Sequence, residues 1–138
     1  MADEVHEVVE GDGYAVAHID AMGDDYGFRK IRRAVGVTEF GVNAVVTPPG
    51  FGGGGHYHDE QQELYMVHRG KVEFEFGDGG RYVLGPGAVA RVDAATVRRF
   101  RNVGEEDAVY FIVGAKDGYV GRDAHLPPGE ERVTEPSQ

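Results

Sequence analysis

The chain has 138 residues, a formal charge of -10 and no cysteine. That length suits one domain that buries a core without staples, and the missing thiols exclude disulfides, iron–sulfur clusters, zinc ribbons and cysteine nucleophiles. The acidity argues against nucleic acid, no run approaches the ~20 apolar residues of a membrane span, and Met1-Ala2-Asp3-Glu4 lacks the basic start of a secretory signal. The expectation is a cytoplasmic protein without nucleic-acid or membrane partners.

Residues 1–12 are acidic and unpatterned, and read as a partly disordered N-terminal segment. From residue 13 onward the chain is punctuated by many of its 22 glycines, with Val-, Tyr- and Phe-rich runs between them, the pattern of short strands joined by tight turns. Strands are expected over 14–19, 28–34, 37–47, 64–68, 72–76, 82–84, 88–92, 98–102 and 109–113. Arg69-Gly70, Gly77-Asp78-Gly79-Gly80, Gly85-Pro86-Gly87 and Asn102-Val103-Gly104 supply the bends. Val72-Glu73-Phe74-Glu75-Phe76 alternates apolar and acidic residues, so Val72, Phe74 and Phe76 face a core. By the same parity Phe40, Val42, Ala44 and Val46 share a face and, with Phe100 and Phe111, are expected to line an apolar barrel wall. Residues 13–120 thus read as one all-β unit, a barrel or double-sheet sandwich, and 121–138 as a polar, Pro-containing tail.

The chemistry gathers around Gly50-Phe51-Gly52-Gly53-Gly54-Gly55-His56-Tyr57-His58 and Glu63. Side chains at i and i+2 of a strand share a face, so His56 and His58 point together while Tyr57 points away, and Glu63 is expected to return on the paired strand. Two neutral imidazoles and one carboxylate form a 2-His-1-carboxylate set for Fe, Mn, Ni or Zn as a divalent ion, with coordination positions left open. Gly52 to Gly55 are followed by no Lys-Ser or Lys-Thr, so the run reads as a flexible mouth loop able to act as a lid rather than a phosphate cradle. Tyr65 shares the parity of Glu63 and is a candidate catalytic or hydrogen-bonding group beside a purely structural reading. Asn102 reads as a turn residue, and His6, His18, His68 and His125 lie outside any ligand spacing.

The spacing of Gly50, His56, His58, Glu63 and Gly70 resembles the first motif of the cupin superfamily, position for position. The resemblance implies a small single-domain jelly-roll barrel, also called a double-stranded β-helix, commonly a homodimer. The family's second motif is matched by Gly87 and Asn102, but Asp93, Ala95 and Arg98 stand where the family has proline, glycine and a metal-binding histidine. A guanidinium cannot ligate a metal, since it offers five N–H donors and no lone pair. Three arrangements stay open. Arg98 swings away while the triad holds the ion, or it neutralises Glu63 in a metal-free site, or it clamps a substrate carboxylate or phosphate beside the ion. Parity places Arg98, Phe100 and Asn102 on one face and Arg99 and Arg101 on the other. The resemblance implies a metal-dependent enzyme of oxygenase or isomerase type acting on a small, anionic organic molecule. Its alternative is a non-catalytic, metal-free module binding a sugar or carboxylate.

Overall fold

The structure, a computed structural model, describes residues 1–130. Residues 131–138, which belong to the expected polar tail, lie outside the described residues. Two five-stranded antiparallel sheets face each other and enclose the core, the arrangement of a jelly roll. The first is built from β3 (Gly27–Arg29), β4 (Gly41–Thr47), β6 (Gln62–Arg69), β9 (Val89–Val92) and β11 (Ala108–Ala115), in the order β3-β4-β11-β6-β9. The second comprises β5 (Gly52–His58), β7 (Val72–Phe76), β8 (Arg81–Leu84), β10 (Arg98–Asn102) and β12 (Ala124–His125), in the order β12-β5-β10-β7-β8. Strands β1 (Val9–Gly11) and β2 (Tyr14–Val16) pair as a separate hairpin. The N-terminal segment, expected to be unpatterned, thus enters a strand at Val9.

The alternation in β7 delivers what it promised: Val72 and Phe74 are buried and Phe76 packs partly against them. Across the gap Tyr65 meets Phe74 edge-on at 5.3 Å between ring centroids, and Phe100, paired with Phe74 within the second sheet, packs against it at 4.8 Å. Full burial of each such ring is worth ~1.5–3 kcal/mol, so this aromatic floor ties the sheets together.

Several expectations are corrected. The span 28–34 is not one strand: β3 ends at Arg29, and Ile31–Val35 form a short helix, α1, closed by left-handed Gly36. The inner face of β4 carries Asn43, Val45 and Thr47, because Val45 opposes Tyr110 of the core. Val42, Ala44 and Val46 therefore lie on the opposite face, where Ala44 is still fully buried; Phe40 is exposed, and Phe111 packs against His68 away from the interior. Apolar residues occupy both parities of β4, so alternation alone did not decide which face is inside.

The Gly-rich run is likewise a strand and not a mobile loop. A Cβ on Gly52, whose φ is +132°, would sit 2.0 Å from the carbonyl oxygen of Phe100, so only glycine lets β5 approach the bulged part of β10. Residues 121–130 also begin inside the fold, since β12 adds to the edge of β5 and Asp123 and Pro127 are buried.

Candidate metal centre

Strand β5 turns His56 and His58 inward, with His58 completely enclosed and His56 half-buried at the pocket side. Tyr57 points the other way and stacks on His125 at 5.4 Å. Glu63 does not lie on a strand paired with β5, as the sequence reading expected. It is the second residue of β6, in the opposite sheet, so it meets the imidazoles across the barrel interior. Gly114 makes this possible from the neighbouring β11: a Cβ there would stand 2.2 Å from Oε1 of Gln61 and 3.3 Å from Cγ of Glu63.

The three side chains converge. Oε1 of Glu63 lies 3.0 Å from Nε2 of His58 and 3.9 Å from Nε2 of His56, and the ligating atoms of the trio lie within 4.8 Å of one another. Neither Nε2 has hydrogen-bonding geometry to a partner, although both are buried. Two orphaned imidazole nitrogens aimed at one carboxylate oxygen are a donor set that fits a divalent cation of borderline hardness.

A residue that the sequence reading missed completes the arrangement. Asp123 accepts from Nδ1 of His58 at 2.7 Å, which aims Nε2 at the carboxylate of Glu63. Its other contacts hold the crossing between sheets: the backbone N–H groups of Glu60 and Gln61 donate to Oδ2 at 2.8 and 3.1 Å, and Nε2 of Gln61 donates to Oδ1 at 2.5 Å. One carboxylate thus orients a candidate ligand and anchors the loop that delivers Glu63. No local spacing could have revealed it, because Asp123 stands 65 residues beyond His58.

The electrostatics suit a cation. Burial raises the proton affinity of Glu63, but His56, His58 and the Tyr65 hydroxyl outweigh it and hold the carboxyl far below its ordinary range. Burial also opposes ionisation of Asp123, and the hydrogen bonds from Gln61, Glu60 and His58 overcome it. His56 is pushed down, chiefly by burial, so it stays neutral. For His58 burial again favours the neutral ring, but Glu63 and Asp123 outweigh it and raise its proton affinity. Tyr65 is wholly enclosed and donates to Oε1 of Glu63 at 2.5 Å. Burial and the Glu63 charge push its hydroxyl well up, so it stays protonated and acts by positioning the carboxylate.

Arg98 is buried completely on the inner face of β10, in register with His56 on one side and Phe76 on the other. Its Nη2 donates to the carbonyl of Asp93 at 3.0 Å and approaches that of Val92 at 3.4 Å, whereas Nε and Nη1 have no protein partner among the described residues. Its charge lowers the proton affinity of both imidazoles. Arg99 and Arg101 take the opposite face, Arg99 bonding Glu130 and Arg101 the carbonyl of Gly50. Asn102 locks the following turn, donating to the carbonyls of Thr47 and Glu106 and accepting from the N–H of Gly104.

The chain belongs to the cupin family: the family model described as a cupin domain matches residues 43–114, from β4 to β11. No curated protein matches it. Among solved structures it is similar to a sugar phosphate isomerase of the cupin superfamily from Silicibacter pomeroyi, at 28% identity and a TM-score of 0.59, over 76% of this chain and 60% of that one. It also resembles an uncharacterized protein with a double-stranded β-helix domain from Klebsiella pneumoniae, at 20% identity and a TM-score of 0.64, over 80% and 95% of the two chains. A DMSP lyase from Ruegeria pomeroyi matches at 21% identity and a TM-score of 0.58, over 67% of this chain and 46% of the lyase. The latter two likenesses concern the fold alone. The chain spans only 60% and 46% of the lengths of the isomerase and the lyase. No helix among the described residues is long and apolar enough to cross a membrane.

Proposed function

We propose that this chain is a metal-dependent cupin enzyme, of isomerase rather than oxygenase type, acting on a small, oxygen-rich anionic molecule. The observation that carries the reading is the convergence of the buried Nε2 atoms of His56 and His58 on the ionised carboxylate of Glu63, all within 4.8 Å. These three residues would hold the ion, and a bound divalent ion would supply Lewis-acid polarisation of a substrate oxygen. Asp123 fixes the tautomer of His58, and Tyr65 fixes the rotamer of Glu63. Arg98 offers a fixed positive charge and two unused donor nitrogens, Nε and Nη1, to the oxygen-rich end of the substrate. The aromatic floor of Phe74, Phe100 and Tyr110 excludes water beneath. The preference for isomerisation rests on the likeness to the sugar phosphate isomerase.

A second reading rests on the buried guanidinium itself, which would repel a dication: a metal-free barrel in which Arg98 compensates Glu63 and the cavity only binds. Metal content separates the two. Protein purified without added metal, then loaded with Fe, Mn, Ni or Zn ions, is expected to hold about one ion per chain, and the double variant His56→Ala/His58→Ala to hold none. Wild-type protein that cannot be loaded at micromolar concentrations overturns the enzyme reading.

A further inference from the structure

Beside Glu63, where the barrel opens, four cations meet: Lys30, Arg32 and Arg33 from α1 and its approach, and Arg122 from the segment leading to Asp123. Against them the cleft presents one acid, Glu63, in a chain where 24 Asp and Glu outnumber 14 Lys and Arg. Lys30, Arg32, Arg33 and Arg122 form no ion pair with a carboxylate among the described residues. Four uncompensated cations around one cleft, in a strongly acidic molecule, create a local field that selects anions.

The collar is also preorganised. The guanidinium carbon of Arg32 lies over the ring of Tyr119, 3.9 Å from its centroid. That contact anchors the side chain at the cleft. Arg122 has a φ of +25°, a conformation that L residues rarely adopt, and it sits at the cleft while its neighbour Asp123 is buried against His58. The cleft has a volume of about 80 Å³. One water needs ~10–15 Å³ on this measure, so the space suits a group of about five to eight heavy atoms.

We infer that this collar is a binding subsite for the phosphoryl group of a small phosphorylated substrate. It rests on the proposed reading of the triad, because Glu63 borders both places. A single ligand would set its phosphoryl dianion among Lys30, Arg32, Arg33 and Arg122 and its oxygen-rich end toward His56, His58 and Arg98. A carboxylate needs one guanidinium, whereas a dianion with three terminal oxygens uses several at once. The subsite makes the enzyme selective for phosphorylated over unphosphorylated substrates.

The test uses full-length protein freed of divalent ions by chelation, so that phosphate cannot bind through a metal. Inorganic phosphate is titrated at constant ionic strength while backbone amide shifts are followed by NMR, with chloride as the control. Saturable shifts are expected at Arg32, Arg33, Gly114, Tyr119 and Arg122, with affinity reduced at least tenfold in Arg33→Gln/Arg122→Gln, whose exposed positions leave the fold intact by circular dichroism. Absence of saturable shifts, equal shifts with chloride, or an unchanged affinity in the double variant overturns the subsite. Phosphate binding at the collar in a protein that never loads a divalent ion would instead remove the metal reading and leave the collar standing.

Discussion

The two flanks of the triad differ in how far their polar groups are met. On the flank of His58, both oxygens of Asp123 are occupied, by an imidazole, two backbone N–H groups and the amide of Gln61. On the flank of His56, the ring Nε2 and the Nε and Nη1 of Arg98 are buried without a protein partner. A buried donor left unmet costs ~1–3 kcal/mol, and more when charged, so the unmet Nε and Nη1 of Arg98 cost the second flank stability. The contrast separates a scaffold that holds a candidate ligand still from a surface whose donors face a cavity.

Breaking the triad tests the comparison most severely. Glu63→Gln removes the only anionic ligand between two imidazoles, and stoichiometric ion binding at micromolar concentration is expected to vanish in direct metal analysis. Asp123→Asn weakens the orientation of His58 without removing a ligand, and ion affinity measured by calorimetry should fall ~10–100-fold. Equal affinity in that variant would show that the saturated flank serves the fold alone. Arg98→His sharpens the other flank: replacing a fixed positive charge by a fourth nitrogen donor should tighten ion binding at least ~10-fold. Unchanged or weaker binding would show that position 98 does not face the ion.

The smallest effect is one of protons. Burial lowers the proton affinity of His58, but Glu63 and Asp123 raise it further, so in the ion-free protein the ring keeps its proton above the ordinary histidine range. An incoming ion must displace that proton. Affinity should therefore increase as the pH rises through the raised His58 value, and calorimetry in buffers of different ionisation heat should show proton release on binding below that value. The stabilisation of the ion-free fold by protonated His58 runs the opposite way, full at low pH and lost as the pH rises through the same value. An affinity flat between mildly acidic and neutral pH would place His58 outside the ligand set.

How much of this was legible in the sequence follows from which interactions are local. Val72–Phe76 and Arg98–Asn102 were readable to the residue, because alternation of apolar with charged side chains reports a half-buried strand directly. His56, His58 and Glu63 were readable from spacing, and they meet. What spacing did not reveal is that Glu63 reaches them from the opposite sheet, since a turn and a crossover of similar length look alike. Gly52–Gly55 carry no side-chain pattern at all, so their strand is visible only through the close approach of β10. The short helix Ile31–Val35 was hidden in an apolar and basic run that also fits a strand, and the collar it helps to form was hidden with it.

Asp123 lies beyond the segment 43–114 over which this chain matches its family, and it reaches His58 on a stretch of backbone that joins the sheet last in chain order. The matched barrel therefore supplies the imidazoles and the acid, whereas a stretch outside the matched segment sets how tightly one ring is aimed. Evolution can retune such a centre by editing an appendage, without touching the walls that hold it.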